Sequence, residues 1–332
     1  MLEPVLALIG GLVLLVLGGE LLVRGAVAVA ERLGVSPLLI GLTLIGFGTS
    51  TPELAVSVQA SLAGAPGVAI GNIVGSNISN ILLILGLSAL IVPLTVSANA
   101  LRRDGTIGVA TALLFALAGA TVGLARPAGV LLVAGLLAYL VLAYRQERRV
   151  ERVLVEGRGA AFDKAVAFEQ VDKPSMKPLP GLLGWLVPLG LALAGLALIV
   201  LGGRLLVSGA VDLARLVGMP ETVIGLTLVA VGTSLPELVT SLIAALRRQT
   251  DIAVGNVLGS NIYNVLGIGG ATGVIAPTLF PPDIAGADVW VMVTASLALM
   301  VFAFGGRITR LEGALMLSAY IGYTWWLILR NG

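Results

Sequence analysis

The chain has neither cysteine nor histidine among its 332 residues. Without cysteine it forms no disulfide and has no thiolate nucleophile. Without histidine it lacks the usual zinc ligands, the common axial ligand of haem and the side chain of most proton relays. No Ser/His, Cys/His or metal-His set is available, so we expect a protein that is not an enzyme.

Charged residues are also scarce. They make up 11% of the chain against 58% hydrophobic residues, and the mean hydropathy is +1.05. Soluble proteins carry about 25% charged residues, so this composition indicates a polytopic protein whose partner is the lipid bilayer. The net charge of +2 comes from arginines near predicted helix ends. We therefore expect no nucleic-acid partner and no cofactor.

Ten apolar segments predict an all-α membrane protein, because a span takes about 20 helical residues. They lie at roughly 4–30, 37–63, 68–93, 105–125, 127–145, 182–212, 221–246, 252–277, 287–305 and 309–330. The first segment lacks a basic region before it, so we interpret it as a span and not as a signal peptide. Residues 145–177 hold eight Lys/Arg and six Asp/Glu, which predicts a solvated linker. The predicted units are 1–145, the linker 146–181, and 182–332.

The sequence repeats itself at an offset of 184 residues. Residues 41–57 read GLTLIGFGTSTPELAVS and residues 225–241 read GLTLVAVGTSLPELVTS, with 11 of 17 positions identical. Residues 71–80, GNIVGSNISN, match residues 255–264, GNVLGSNIYN, at 7 of 10 positions. Each copy holds five predicted spans, and an odd number makes the second copy enter the membrane from the opposite side. The pattern predicts two inverted five-helix repeats, as in secondary transporters.

Basic residues indicate the orientation, because Lys and Arg concentrate in cytoplasmic loops. With both termini outside, 16 of the 20 Lys/Arg fall on the cytoplasmic side together with the linker 146–181. Arg247 and Arg248 follow the seventh span on the inside, whereas the matching Ala63 and Gly64 follow the second span on the outside. We expect a multi-pass protein of the cell membrane with both termini outside.

Two glutamates, Glu53 and Glu237, lie in the middle of predicted spans, although a charge inside a bilayer costs several kcal/mol. The second, third and eighth predicted spans contain no Lys or Arg that could neutralise them. Pro52 and Pro236 come directly before the glutamates, and each should break its helix and release main-chain carbonyls. This combination favours a functional site over a structural role.

Further polar side chains accompany each glutamate. Thr49 and Thr233 lie one helical turn before the glutamates and on the same face. The second motif adds a polar stripe in each copy, formed by Asn72, Ser76 and Asn80 and by Asn256, Ser260 and Asn264. Carboxylate, hydroxyl, amide and carbonyl oxygens are hard donors that suit Ca²⁺ or Na⁺. Hydrogen bonding between helices is the alternative role of the stripe, above all for Asn72 and Asn256.

Other features of these segments indicate packing. The glycines of the second motif form G-x-x-x-G faces on which another helix can pack closely, namely Gly71, Gly75, Gly255 and Gly259. Glu20 and Arg24 are spaced as an i, i+4 pair near the inner end of the first span. Asp104 and Asp288 stand at the starts of spans, where an acid suits a helix N-terminus. We expect none of these charged residues to bind the substrate.

With these motifs, the whole chain resembles the calcium/cation antiporter superfamily and within it the prokaryotic sodium/calcium exchangers. The pairing of GTSxPEL with GNxxGSNI carries the resemblance. Proton-coupled calcium exchangers of the same superfamily typically show GNxxE in place of GTSxPE, so the sodium-coupled branch is favoured. The resemblance implies a core of the second, third, seventh and eighth spans, with the first and sixth spans sliding across it as a gate.

The resemblance also implies the ion ligands. Glu53 and Glu237 would bind Ca²⁺ centrally and share flanking Na⁺ ions. The remaining implied ligands are neutral oxygens, from the side chains of Thr49, Thr233, Ser50, Ser234, Ser76, Ser260, Asn80 and Asn264 and from the main chain of Gly46 and Ala230. The position of Asn264 is an Asp in some relatives and in potassium-dependent exchangers, so this site has two formal carboxylates and K⁺ co-transport is disfavoured.

Together these features predict electrogenic exchange of Na⁺ for Ca²⁺ by alternating access, without K⁺, by a monomer. Two carboxylates balance one Ca²⁺, whereas three Na⁺ would leave a net positive charge. A Ca²⁺/H⁺ antiporter that uses the same two glutamates is an alternative. A passive cation channel is a more remote one.

Overall fold

The first half of the chain is almost entirely helical. The computed structural model describes residues 2–98, 101–121, 123–156, 182–216 and 230–331. The helices of the first half are α1 (Leu2–Leu33), α2 (Leu38–Thr49), α3 (Thr51–Leu62), α4 (Pro66–Ile91), α5 (Leu101–Gly105 continued by Thr106–Ala120) and α6 (Arg126–Glu156). A short strand, β1 (Leu94–Thr95), follows α4.

The second half has the same order of helices. Its helices are α7 (Leu183–Leu216), α8 (Ala230–Thr233), α9 (Leu235–Leu246), α10 (Thr250–Tyr263 continued by Asn264–Gly269 and Gly270–Ile275), α11 (Ile284–Ala303) and α12 (Arg310–Asn331). Strand β2 (Arg307–Ile308) precedes α12 and pairs antiparallel with β1.

Two predicted boundaries need comment. Helix α6 continues through Glu156, beyond the predicted end of the fifth span at residue 145. Residues 146–156 contain neither proline nor glycine, so nothing in the sequence ends the helix earlier. Most of the predicted linker, 157–181, and the start of the seventh predicted span, 221–229, lie outside the described residues.

Five helices of the described chain are long and apolar enough to cross a membrane. They are Glu3–Leu33, Pro66–Ile91, Arg126–Gln146, Leu183–Ala210 and Ile284–Ala303, and the pair α2 and α3, bent by 44°, forms a sixth candidate. The protein is therefore a mostly helical membrane protein. The predicted number of ten spans exceeds this count and stays a prediction.

Helices α1 and α7 pack against each other along their length in opposite directions. Each carries three glycines seven residues apart, which line the side of the helix that faces its partner. A Cβ atom at Gly18 would lie 2.7 Å from the carbonyl oxygen of Gly195, and one at Gly11 would lie 2.7 Å from that of Gly202. The full set is Gly11, Gly18 and Gly25 on α1 and Gly195, Gly202 and Gly209 on α7. The two backbones are in direct contact, which indicates a single rigid pair.

Helix α10 packs against α2 through the predicted G-x-x-x-G face. A Cβ atom at Gly259 would lie 2.3 Å from the carbonyl oxygen of Leu42, and one at Gly255 would lie 2.6 Å from that of Leu38. This contact brings the second motif of one half against the first motif of the other. Gly75 faces open space among the described residues.

The two halves exchange equivalent contacts. Leu94 pairs with Ile308, and Leu124 pairs with Thr278 at the other end of the molecule. Each residue of the second pair is the repeat mate of one in the first, because Thr278 follows Leu94 and Ile308 follows Leu124 at the offset of 184. Close helix contacts follow the same rule: Gly86 of α4 meets Gly313 of α12, and their mates Gly270 of α10 and Gly129 of α6 meet each other. Each half is completed by helices of the other.

Candidate functional site

The site lies where the helices of both copies of the first motif break. Helix α2 ends at Thr49 and α3 begins at Thr51, with Ser50 between them at φ −84° and ψ 7°. Ser234 has almost the same conformation, φ −89° and ψ 5°, between α8 and α9. The predicted break at the proline therefore occurs in both halves, because each proline stands in the first turn of the new helix.

The break places each glutamate in the first turn of a helix. Glu53 lies in the first turn of α3 and Glu237 in the first turn of α9, where the main-chain amides favour a negative charge. Both side chains are buried, each with 1% of its surface exposed. None of the ion pairs found within the described chain involves either residue. Two carboxylates are thus enclosed without a basic neighbour.

Hydroxyl groups connect the two halves at this point. The Oγ of Ser50 donates a hydrogen bond to Oε1 of Glu237 at 2.9 Å. The Oγ of Ser260 donates to the carbonyl oxygen of Gly46 at 3.2 Å. Ser234 is buried and its Oγ lies 3.5 Å from that of Ser79. The predicted ligands of the two motifs therefore come together across the boundary between the halves.

Asn80 and Asn264 are buried, each with 1% of its surface exposed, in turns that pack against the glutamate helix of the opposite half. Both stand at the start of a wide, π-type turn, Asn80–Leu85 in α4 and Asn264–Gly269 in α10. Such turns widen the helix locally and are frequent at functional sites. The Nδ2 of Asn80 donates to Oδ1 of Asn261 at 2.9 Å, which leaves Oδ1 of Asn80 available.

Four buried oxygens at this place have no hydrogen-bond partner in the described part of the molecule. They are Oε2 of Glu53, Oε2 of Glu237, Oδ1 of Asn80 and Oδ1 of Asn264. A buried polar atom without a partner costs about 1–3 kcal/mol, and a charged one costs more. Two carboxyl and two amide oxygens, on elements that pack against each other, are donors that suit a hard cation such as Ca²⁺ or Na⁺.

The remaining predicted ligands are placed less completely. Ser76 is buried, and its carbonyl oxygen accepts from Oγ of Ser79 at 3.1 Å. Thr49 is buried, whereas its mate Thr233 is half-buried. Ala230 is the first residue of α8, which begins the described part of the seventh span.

Asn72 and Asn256 act between helices, as the alternative for the polar stripe predicted. Nδ2 of Asn72 donates to the carbonyl oxygen of Glu53 at 3.1 Å and to Oγ of Ser57 at 2.9 Å. Nδ2 of Asn256 makes the same two bonds to Glu237 at 3.3 Å and Ser241 at 2.8 Å. The sequence stripe predicted a polar face but not which of its members face a neighbouring helix.

Asp104 and Asp288 lie near the starts of their helices, as the sequence predicts. Both are also buried. Asp104 pairs with Arg103 and accepts from the hydroxyl of Tyr139 at 3.1 Å.

The second acid has an equivalent set of partners. Asp288 pairs with Arg330 and accepts from the hydroxyl of Tyr323 at 3.0 Å. Each cluster ties the fourth predicted span of its half to the fifth. Because the carboxylate of each cluster is already paired with an arginine and a tyrosine, the two clusters indicate helix fastening and not ion binding. The tyrosines stand 184 residues apart, a signal the sequence offered.

Comparison with known proteins decides the family. The model of the sodium/calcium exchanger protein family matches residues 3–145 and, separately, residues 187–329. The chain belongs to the sodium/calcium exchanger protein family. The resemblance found in the sequence motifs is confirmed, and the two matched ranges correspond to the two halves.

Relatives and solved structures cover nearly all of this exchanger-family chain. CaxA of Alkalimonas amylolytica is 39% identical over 332 residues, covering 98% of this chain and 99% of that protein. The sodium/calcium exchanger MaX1 of Methanosarcina acetivorans is 36% identical, covering 96% of each. A structure of the sodium-calcium exchanger NCX_Mj, soaked with zero Na⁺ and Ca²⁺, superimposes with a TM-score of 0.82 at 33% identity, over 98% of this chain and 99% of that one.

Proposed function

We propose that this protein exchanges Na⁺ for Ca²⁺ across the cell membrane by alternating access. The four buried oxygens without partners are the observation that carries the proposal. Membership of the sodium/calcium exchanger family supports antiport of Ca²⁺ against a cation. The names of MaX1 and NCX_Mj favour Na⁺ as that cation.

Coupling follows from competition for one pair of carboxylates. Ca²⁺ and Na⁺ both need Glu53 and Glu237, so the two ions cannot occupy the site fully at the same time. When no cation is bound, the carboxylates of Glu53 and Glu237 are not neutralised. Sliding of the gate across the core would then expose two negative charges to a region of low dielectric constant, which is costly. The exchanger therefore crosses only when loaded, and this links the two fluxes.

The charge of the site makes the exchange electrogenic. Two carboxylates neutralise one Ca²⁺, whereas three Na⁺ leave one positive charge in excess. No cluster of three acidic, His or Cys side chains occurs within the described ranges, which supports a two-carboxylate site. A site of this charge does not call for K⁺, so we propose K⁺-independent exchange by a monomer.

Two inverted five-helix repeats are the architecture we propose, with both termini outside. The exchanged contacts between the halves support a two-fold relation. The distribution of Lys and Arg supports the orientation, and it makes the Arg247 end of the molecule cytoplasmic. The rigid pair of α1 and α7 would be the moving gate.

The deciding experiment is ⁴⁵Ca²⁺ uptake into proteoliposomes loaded with Na⁺ and diluted into Na⁺-free medium, with membrane potential and pH clamped. Uptake should require internal Na⁺ and should rise when the potential favours charge movement out of the vesicle. Uptake that ignores internal Na⁺ would contradict the proposal. Saturation of the flux with external Ca²⁺ separates a carrier from a passive channel, whose flux would need no counter-ion.

A Ca²⁺/H⁺ antiporter is the second candidate. The two buried carboxylates without a basic neighbour favour it, because protonation is the other way to neutralise such groups. The same vesicles distinguish the two functions. Uptake driven by an outward proton gradient in the absence of Na⁺ would support proton coupling and leave the site assignment intact.

A further inference from the structure

Asn256 contacts the site residues of both halves at once. It is fully buried where α10 packs against α9 and α2. Its Nδ2 holds the carbonyl oxygen of Glu237, and its Oδ1 accepts a hydrogen bond from Oγ1 of Thr49 at 3.4 Å. One amide group therefore touches a glutamate of the second half and a hydroxyl of the first.

The contact with Thr49 bears on cation binding through the hydroxyl proton. A hydroxyl ligates a cation with its lone pairs, so its proton must point to another acceptor. The acceptors near Oγ1 of Thr49 include the carbonyl oxygens of Ile45 at 3.1 Å and Gly46 at 3.4 Å, Oδ1 of Asn256 and the carboxylate of Glu237. Asn256 is the uncharged acceptor that the opposite half supplies.

We propose that Asn256 is a positioning residue that orients Thr49 and Glu237 for the cation and does not ligate it. The proposal rests on the proposed ion site. Asn72 offers a comparison variant, since its bonds to Glu53 and Ser57 repeat those of Asn256, and the residue equivalent to Thr49 on its side is Thr233.

A double-mutant cycle tests this role, with the half-saturating Ca²⁺ concentration of exchange as its readout. Asn256→Ala should raise that concentration by about tenfold, while exchange at saturating Ca²⁺ changes little. Combined with Thr49→Ala, it should add much less than tenfold, because its action through Thr49 is already lost. Asn72→Ala combined with Thr49→Ala should be additive.

Additive effects of Asn256→Ala and Thr49→Ala would overturn the proposed role, and so would an equal loss of exchange at all Ca²⁺ concentrations. If Asn256→Ala does not assemble, Asn256→Ser takes its place in the cycle, since it keeps a hydroxyl between the helices. Failure of the wild-type protein to exchange Ca²⁺ at all would instead overturn the proposed function.

A separate observation concerns the position of the α1–α7 pair, which covers α9 but not α3. A Cβ atom at Gly19 of α1 would lie 2.4 Å from Ile243 and 3.2 Å from Val239 of α9. Gly203 of α7 is the repeat mate of Gly19. A Cβ atom at Gly203 would have the Cβ of Leu235 as its nearest neighbour, 4.0 Å away. The pair is therefore displaced toward the second half.

Exposure of the two glutamate helices shows the same difference. Thr51, Ala55 and Gln59 form an exposed face of α3. Their mates on α9 are Leu235, Val239 and Ile243, and all three are partly covered. We call the exposed face of α3 the open side and the face of α9 that α1 covers the closed side.

An ion pair fastens the closed side. Glu20 of α1 accepts from Nε of Arg247 at 2.8 Å, and its other oxygen lies 2.6 Å from the Nη2 atom. Arg24 pairs with the same carboxylate from within α1. Glu20 thus joins the proposed gate to the end of a glutamate helix.

The open side has no equivalent pair to form when it closes. The repeat mate of Glu20 is Arg204, and the mate of Arg247 is Ala63. Closing that side would bring Arg204 next to Ala63, which cannot form an ion pair with it. The ion pair is available in one of the two gate positions alone.

We infer that Glu20 and Arg247 form a one-sided latch, which favours the gate position that closes the Arg247 end. In the proposed orientation this is the cytoplasmic end, so the latch holds the exchanger open to the outside. Loss of the latch should raise the population of the other position by about two- to fivefold, the range expected for a partly exposed ion pair.

The absence of cysteine makes this measurable with single reporters. Ile243 lies under α1. In the otherwise unchanged protein, the cysteine of Ile243→Cys should react slowly with a membrane-impermeant maleimide added on the Arg247 side. Adding Glu20→Gln or Arg247→Gln should speed that reaction about two- to fivefold. With the same added substitutions, the maleimide reaction of Gln59→Cys on the exposed face of α3 should become only slightly slower. The gate position that exposes Gln59 is the major one, so its population falls by a smaller fraction.

Arg24→Gln is the matched control, since Arg24 contacts Glu20 without leaving α1, and it should not change either rate by more than a small factor. The charge-reversed double variant Glu20→Arg with Arg247→Glu should return the Ile243→Cys rate toward its starting value. Equal rates with and without Glu20→Gln would overturn the latch. The readout needs no ion transport, so it stands apart from the proposed function.

Discussion

At the scale of single residues, the two glutamates are the most informative part of the molecule. The sequence indicated them because a carboxylate in an apolar span needs a reason, and the structure encloses both without a basic partner. What the sequence could not show is the difference between the half-sites. Ser79 approaches Ser234, whereas its mate Tyr263 stacks on Phe47 with ring centroids 4.5 Å apart. Such a difference depends on side-chain packing across the halves, which no single segment encodes.

Removing either charge should stop transport without unfolding the protein. Glu53→Gln or Glu237→Gln keeps the shape of the side chain but removes the negative oxygen that a cation needs. We expect Ca²⁺ uptake into Na⁺-loaded vesicles to fall by about 100-fold or more, with unchanged elution on size-exclusion chromatography. Glu31→Gln, an exposed acid on α1, is the control and should retain uptake. Exchange that survives the double variant would show that the site assignment is wrong.

Adding a negative charge at Asn264 should change which step of the exchange depends on voltage. The Na⁺ translocation step carries the charge in the proposed site, whereas the Ca²⁺ translocation step would carry it in the variant. Both polar atoms of Asn264 lack a hydrogen-bond partner among the residues that the structure describes, so Asn264→Asp would place a third carboxylate at the site. An ionised third carboxylate leaves the Ca²⁺-loaded form negative and the form with three Na⁺ neutral. Ca²⁺/Ca²⁺ exchange should then become sensitive to voltage, measured as transient current on a supported membrane. An unchanged dependence at alkaline pH would argue against this charge balance.

At the scale of helices, the ends of α3 and α9 show how one geometry is met by different residues. Gly64 and Arg248 occupy equivalent positions after these helices, with φ of 72° and 58°. The following amide of Gln249 donates to the carbonyl oxygen of Ala244 at 2.8 Å, a common helix ending with a left-handed residue. Glycine adopts this conformation freely, whereas arginine is strained in it.

The strain predicts opposite effects for the two positions. Arg248→Gly should stabilise the folded protein by about 1 kcal/mol, and Gly64→Ala should destabilise it by a similar amount. Thermal unfolding in detergent, followed by tryptophan fluorescence, would compare both with the unchanged protein. A lower midpoint for Arg248→Gly would mean that contacts of the arginine outweigh its backbone strain.

Helix breaks were the most predictable elements and wide turns the least. Proline acts through its own ring and missing amide, so the breaks before Glu53 and Glu237 follow from local sequence. The wide turns at Asn80 and Asn264 contain no proline, and they depend on how α4 and α10 pack against their neighbours. The run of helix-forming residues to Glu156 was a local signal for the longer α6.

At the scale of the whole molecule, the glycine contact makes α1 and α7 one body. Neighbouring glycines on α1 give a matched test of it. A Cβ atom at Gly11 would lie 2.6 Å from the amide nitrogen of Leu206, whereas nothing lies within 4 Å of one at Gly10.

Gly11→Ala should therefore force the pair apart and destabilise the protein by about 1–3 kcal/mol, with a loss of exchange. Gly10→Ala should be neutral or slightly stabilising, because alanine favours the helix. Unfolding midpoints and Ca²⁺ uptake of the two variants, compared at equal expression, would check this. Similar behaviour of both variants would contradict a rigid glycine contact.

The exchanged contacts between the halves also mean that helices in contact are synthesised at widely separated times. Gly86 of α4 finds its partner, Gly313 of α12, 227 residues further along the chain (313 − 86). At translation rates of 5–20 residues per second, that partner leaves the ribosome roughly 10–45 s later. Through this interval α4 stands in the membrane with a bare backbone surface, open to mispairing. The nascent chain therefore needs α12 to cover the glycine surface of α4. Truncation that removes α12 would leave this surface of α4 uncovered in the folded protein.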